Sequence, residues 1–201
     1  MGLESFTDEN MTSWSIFIRS LVHRTPVGLR AFMSSGLDQW EETVDSVKSR
    51  YDDLKREVDP ASFEDFIALY DKDKIDSAIL RAIPGVLTSV RVGEVLNNLP
   101  MKIFRTSESV PEFLISDAVL IMTNGILVEG GHYAIPISPR CLLVAASQQQ
   151  TLDEISKYTE RNLVSNVNRA IVERATSFVG CTNRRQERFI RNRFGMRLKL
   201  P

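Results

Sequence analysis

Apolar residues change their period twice along this chain, and that pattern limits its fold more than any other feature. From residue 14 to 99 they recur at helical spacing, from 101 to 146 they alternate or run in short blocks, and after 150 helical spacing returns. A period near 3.6 lines up one face of a helix, and a period of 2 lines up one face of a strand. The expected fold is α+β. A helical first half over 7–99 carries a long helical arm, a small, mainly antiparallel sheet covers 100–147, and carboxy-terminal helices cover 151–194, all within a single domain of 1–201.

Within the first half, Thr7-Asp8-Glu9 has the form of an N-cap followed by acids. Trp14, Phe17, Ile18, Leu21 and Val22 then make a wide apolar face. Arg24-Thr25-Pro26 ends that helix, and Thr25 and Pro26 suit the cap and first position of the next. Leu37, Trp40, Val44, Val47, Tyr51, Leu54 and Val58 alternate spacings of three and four, a narrow seam that one partner helix would cover. That partner is another helix of this chain or a second copy. Ser34-Ser35-Gly36 is expected to break the helix before the seam. Ser62 to Asp65 resembles a capping box. The run from Ile75 to Leu99 is helical, with Pro84 expected to kink or split it near Leu80.

After Pro100, residues 101–106, 112–115, 132–137 and 141–146 are expected as strands. Residues 119–123 and 126–128, joined by Asn124-Gly125, have the pattern of a hairpin with a type I′ turn. Thr151 and Glu154 form a capping box that opens a helix running to about Val179, with Gly180 as its stop. A short basic helix follows over 184–193.

Hydrophobic residues make up 43% of the chain and charged residues 25%, which suits a folded protein rather than a disordered one. No apolar run is long enough for a membrane span, and the acidic start MGLESFTDEN lacks the core of a secretory signal, so a cytoplasmic protein without membrane contact is expected. Phe6 stands where a myristoylation motif needs Ser or Thr after Gly2. Two cysteines forty positions apart form neither a disulfide framework nor a zinc motif, and no metal or cofactor is expected.

Nucleophile elbows, phosphate loops and zincin motifs are absent, so whether the chain is an enzyme stays open. His23, at the end of the first helix, would be favoured as an imidazolium by the helix dipole. Ser116-Asp117 lies between strand runs, where a turn needs acceptors for its backbone amides. The charge is uneven: residues 161–201 hold ten Lys/Arg against two Asp/Glu. Arg184, Arg185, Arg188, Arg191, Arg193, Arg197 and Lys199 are candidates for nucleic-acid phosphates. Phe189, Ile190 and Phe194 argue instead that this helix docks on the acidic body of its own chain or of a second subunit.

Taken together, Phe113-Leu114-Ile115-Ser116-Asp117, Ile135-Pro136-Ile137-Ser138-Pro139, Leu142-Leu143-Val144, and Asn166-Val167-Asn168 leading to Ala175 and Phe178 resemble the bacterial family known as domain of unknown function 4238. Phe17-Ile18 leading to Arg24-Thr25-Pro26 is similar to that family's arginine-x-proline helix end. The chain departs from the pattern at Ala118-Val119, where the family has asparagine-proline, and lacks the family's amino-terminal histidine-tyrosine-x-proline head. If the family is enzymatic and that histidine serves its site, the resemblance implies an inactive copy. It also groups Arg24, Ser116, Asp117, Asn166 and His23 as candidates for one catalytic site. Three functions follow as expectations: helix-mediated binding or self-association, nucleic-acid binding or cleavage in a mobile-element or phage-defence system, and an enzyme near Arg24, Ser116 and Asp117.

Overall fold

A computed structural model describes residues 8–123 and 125–198 of the protein, so Gly2, Phe6, Thr7, Asn124 and Lys199 lie outside the described residues. It is an α+β protein, and it divides into two compact units, one formed by residues 22–89 and the other by the remainder.

The larger unit is built on a sheet of order β1-β5-β4-β3, antiparallel throughout. Its strands are β1 (Met101–Arg105), β3 (Ile121–Thr123), β4 (His132–Ser138) and β5 (Cys141–Ala146). A separate short pair joins β2 (Ile115–Ser116) to β6 (Val179–Gly180). The central strand β5 reads CLLVAA because both of its faces are covered. On one face, Ile121, Ala134, Leu142 and Val144 pack against Leu163, Val164, Val167, Ile171 and Val172 of α8 (Glu160–Arg174). Leu152 of α7 (Gln149–Ile155) and Phe189 and Ile190 of α9 (Glu187–Arg193) complete that cluster. On the other face, Tyr133, Ile135, Leu143 and Ala145 pack with Trp14, Ile18 and Leu21 of α1 (Asp8–Arg24) and Leu96 of α6 (Val90–Asn97). Each fully buried Leu or Ile here is worth about 2 kcal/mol of transfer free energy.

In the smaller unit, Thr25 caps α2 (Pro26–Lys48) by accepting the Gly28 amide, with Pro26 in the first turn. A Cβ on Gly28 would lie 1.8 Å from the Val22 carbonyl oxygen, so the corner between α1 and α2 requires glycine. Helix α2 runs unbroken through Gly36, against expectation. The glycine serves a close approach, since a Cβ there would stand 2.5 Å from Ile79 Cγ2 of α5 (Lys72–Thr88). The two helices are antiparallel: Gly36 meets Ile79 of α5, and Trp40 packs at a tilt against Tyr70, which precedes α5, with ring centroids 5.3 Å apart. The seam is thus covered by a helix of the same chain, but only along part of its length. After Lys48 the chain breaks, resumes as α3 (Tyr51–Leu54) and leaves Val58 83% exposed. Ser62 caps α4 (Phe63–Ile67), as its sequence suggests. Pro84 does not split α5. The break falls at Ser89 instead, and Leu80, whose carbonyl loses its partner to the proline ring, is exposed to water.

Three further expectations are corrected. The strand β3 pairs with β4 rather than with residues 126–128, which lie in turns. Gly125 and Gly130 have positive φ, and a Cβ on Gly131 would stand 2.1 Å from the Gly125 carbonyl oxygen, so the segment closes as a compact glycine-dependent loop. Residues 112–114 form no ladder, because their backbone groups are bonded by side chains and by the Pro139 carbonyl. Thr151 is a buried residue inside α7, not its cap, and the long carboxy-terminal helix is two: Thr159 caps α8, which stops at Arg174. Among the described residues no helix is long and apolar enough to cross a membrane.

Candidate functional site

The most completely bonded polar cluster of the larger unit lies where residues 112–118 cross α8. Glu112 is 6% exposed, and its carboxylate accepts the Thr182 amide at 2.9 Å, the Asn183 amide nitrogen at 3.3 Å and the Thr182 hydroxyl. Asn168, on the apolar stripe of α8, is 2% exposed. Its Oδ1 accepts the Leu114 N–H at 2.9 Å, and its Nδ2 donates to the Glu112 carbonyl at 2.8 Å and to Gln186 Oε1 at 3.0 Å. Gln186 Nε2 donates to the same carbonyl at 2.9 Å. The side-chain oxygens and nitrogens of Glu112, Asn168 and Gln186 are all hydrogen-bonded within the cluster, which suits a structural clamp. In the sequence, Asn168 stands within the family motif Asn166-Val167-Asn168, of which Asn166 is the site candidate, and Glu112 is expected only as a strand residue; a second signal for Asn168 is its place amid the buried doublets Leu163-Val164 and Ile171-Val172.

Ser116 and Asp117 follow directly. The Ser116 hydroxyl donates to the Ile171 carbonyl at 3.3 Å and accepts the Ala118 amide at 3.1 Å. The Asp117 carboxylate accepts the amides of Thr176 and Ser177 at 3.1 Å, and the Thr176 hydroxyl. These donors lie just past the end of α8, so Asp117 claims the amides that a longer helix would use. Burial pushes the Asp117 pKa up, but the hydrogen bonds from Thr176, Ser177 and Phe178 outweigh it and hold the carboxyl below the usual aspartate value. Among the described residues, Asn166 shares no hydrogen bond with Ser116 or Asp117; it is exposed on α8 and lines a slot beside the sheet.

His23 and Arg24 belong to the smaller unit. The His23 ring stands edge-on to Phe32 at 5.0 Å, and its buried Nδ1 has no hydrogen-bond partner among the described residues. Burial holds its pKa below the usual imidazole value, so the neutral ring is favoured, the reverse of what the helix dipole alone gives. Among the described residues no group of three or more His, Cys, Asp or Glu could hold a metal ion.

The arginines of the carboxy-terminal segment divide into two sets. Arg193 and Arg197 reach Glu173 of α8 at 2.8 and 3.6 Å, Arg191 pairs with Glu187 at 2.7 Å, and the Arg193 guanidinium lies over the Phe189 ring. Arg184, Arg185 and Arg188 are exposed and have no carboxylate partner among the described residues. Arg185, Arg188, Asn192 and Arg193 line an open concavity of about 610 Å³ floored by Phe189.

No curated protein and no solved structure matches the chain. One family model does match it, over residues 2–184, a range that takes in the smaller unit, most of the larger one and both Glu112 and Asn168, but leaves α9 outside. The chain belongs to the family described as protein of unknown function (DUF4238).

Proposed function

We propose that this chain is a helix-mediated binding protein that self-associates through residues 22–89. One observation carries the reading: neither α2 nor α5 buries a single residue, and Tyr51 is the only buried hydrophobic among the described residues of that unit. Large apolar side chains such as Val27, Leu29, Leu69, Leu80 and Val86 are exposed. A helical pair this apolar gains little from folding by itself and gains more from a covering partner. Between α2 and α5 runs a groove of about 340 Å³, lined by Phe32, Trp40, Ala78, Ile79, Ala82 and Val86. Two antiparallel hairpins of this kind complete a four-helix arrangement when related by a two-fold axis, since each supplies both the groove and the helix that fills it. A cytoplasmic setting fits the two free thiols, Cys141 and Cys181.

Sedimentation analysis tests the proposal. The wild-type chain is expected to sediment as a dimer. Ala78→Glu with Ala82→Glu, both exposed positions in the groove, should give a monomer of unchanged helicity. A wild-type protein that stays monomeric over a hundredfold concentration range, or a double variant that keeps the dimer mass, would overturn it.

The unpaired Arg184, Arg185 and Arg188 favour a second reading, contact with nucleic-acid phosphates. Arginine forks on one face, with an asparagine and an aromatic ring between them, suit a backbone and its bases. Binding to single-stranded DNA or RNA should then fall steeply with salt. Arg185→Ala with Arg188→Ala should flatten the logarithmic salt slope by about 2. Binding that is absent at low salt, or that ignores both changes, would remove this reading.

A further inference from the structure

The slot beside the sheet has a chemistry that neither binding surface uses. It lies between strands β3, β4 and β5 on one side and α8 on the other, with a volume of about 250 Å³. Cross-strand register sets Ile121, Ala134 and Val144 in one row, and Leu163, Val167 and Ala170 follow one face of α8. All six line the slot, and the two alanines leave room that larger side chains would fill. The slot opens to solvent beside Tyr158 and Asn166, both exposed, so a guest can enter it without unfolding the core. No Lys, Arg, Asp or Glu is among the lining residues, so a charged guest would lose its hydration without a counter-ion.

The slot also carries three polar groups, His132, Tyr158 and Asn166. The side chains of Tyr158 and Asn166 hydrogen-bond to no side chain or backbone group among the described residues. His132 Nδ1 lies 3.0 Å from the Gly130 carbonyl oxygen and 3.0 Å from Thr123 Oγ1. A carbonyl oxygen only accepts, so Nδ1 carries a proton, and in the tautomer protonated there Nε2 is left as an acceptor. The group that matches it is a donor such as a hydroxyl.

We propose that this slot binds a small, uncharged aromatic alcohol, its ring among the apolar side chains and its hydroxyl donating to His132 Nε2. The volume lies just below the range of drug-sized sites, which limits the guest to about one ring.

The test titrates p-cresol into the full chain, followed by amide chemical shifts and calorimetry. Toluene serves as the same ring without the hydroxyl, and p-toluate as the charged analogue. Saturable binding of p-cresol is expected, with toluene and p-toluate each about tenfold weaker. His132→Phe should erase the preference for p-cresol over toluene, and Ala170→Leu should abolish binding of both while the thermal melt shows a folded protein. If Ala170→Leu does not fold, the His132→Phe comparison decides alone. Absence of saturable p-cresol binding at millimolar concentration, equal wild-type affinity for toluene, or undiminished binding to a folded Ala170→Leu chain would overturn the proposal.

Discussion

Asn168→Leu is expected to lower the free energy of unfolding by about 4 kcal/mol and the melting temperature by about 10 °C. Leucine keeps the branched heavy-atom skeleton of asparagine and suits a helix, so the loss is mainly one of hydrogen bonds, with a smaller part from the bulkier methyl groups. The Leu114 N–H and Gln186 Oε1 would lose their partner at a site that is 2% exposed, where water has little access. Leu114 itself is fully buried, so its amide would stay unpaired in an apolar surrounding. The Glu112 carbonyl would keep Gln186 Nε2 as donor, which limits the damage to two orphaned groups. Urea unfolding followed by circular dichroism measures the change, with Asn166→Ala, an exposed position on the same helix, expected to stay within about 0.5 kcal/mol of wild type. A loss under about 1 kcal/mol for Asn168→Leu would mean that the segment over 112–114 relaxes to find other partners.

Asn168 also marks the limit of what periodicity discloses. Buried positions of α8, such as Leu163, Val167 and Ile171, follow from spacing alone, as do the two covered faces of β5. Spacing also marks the seam and Phe189 with Ile190 as apolar faces that need cover, but leaves the cover open between this chain and a second copy; the structure supplies it from α5 and from the core of the larger unit. These rest on hydrophobic burial, which is written locally. What spacing does not carry is the pairing of groups far apart in sequence. The Asp117 carboxylate reaches residues 59 and 60 positions away, and by holding their amides it ends α8 well before Gly180. Glycines mislead for the same reason: Gly36 has the local signature of a helix breaker, yet its role is set by Ile79, 43 positions on. The Asn-Gly dipeptide suggests a tight hairpin, but β3 gains more from pairing with the apolar strand β4 than with residues 126–128, and Gly130 and Gly131 absorb the longer loop. The candidate catalytic set suffers likewise. Ser116 and Asp117 are visible as turn acceptors, and their hydrogen bonds are of that kind, whereas the slot that Asn166 shares with His132 needs three strands and a helix to define it.

Asp117→Asn should destabilise the protein by about 3 kcal/mol at neutral pH, and the difference from wild type should shrink in acid. The charged carboxylate accepts two amides and a hydroxyl at the end of α8, and hydrogen bonds to a charged acceptor are worth about 1.5–3 kcal/mol each before the partial compensation an asparagine oxygen provides. The folded pKa lies below the ordinary aspartate value near 3.8. A depressed carboxylate pKa means that the unfolded chain takes up the proton first. The stabilisation is therefore complete above the unfolded pKa and is lost as pH falls from about 4 through the lower folded value. Asp59 and Glu160 are also held below their ordinary values, by Arg56 and by the Ser107 amide and hydroxyl respectively, so the acid limb of wild-type stability contains more than one group. The difference between wild type and Asp117→Asn isolates one of them, because the asparagine does not titrate. Unfolding free energies measured for both proteins from pH 7 down to pH 2.5 should run parallel above the unfolded pKa, and the gap should narrow steadily as pH falls below about 4. A gap that stays constant across that range would assign the loss to geometry at the helix end, and not to the charge of Asp117.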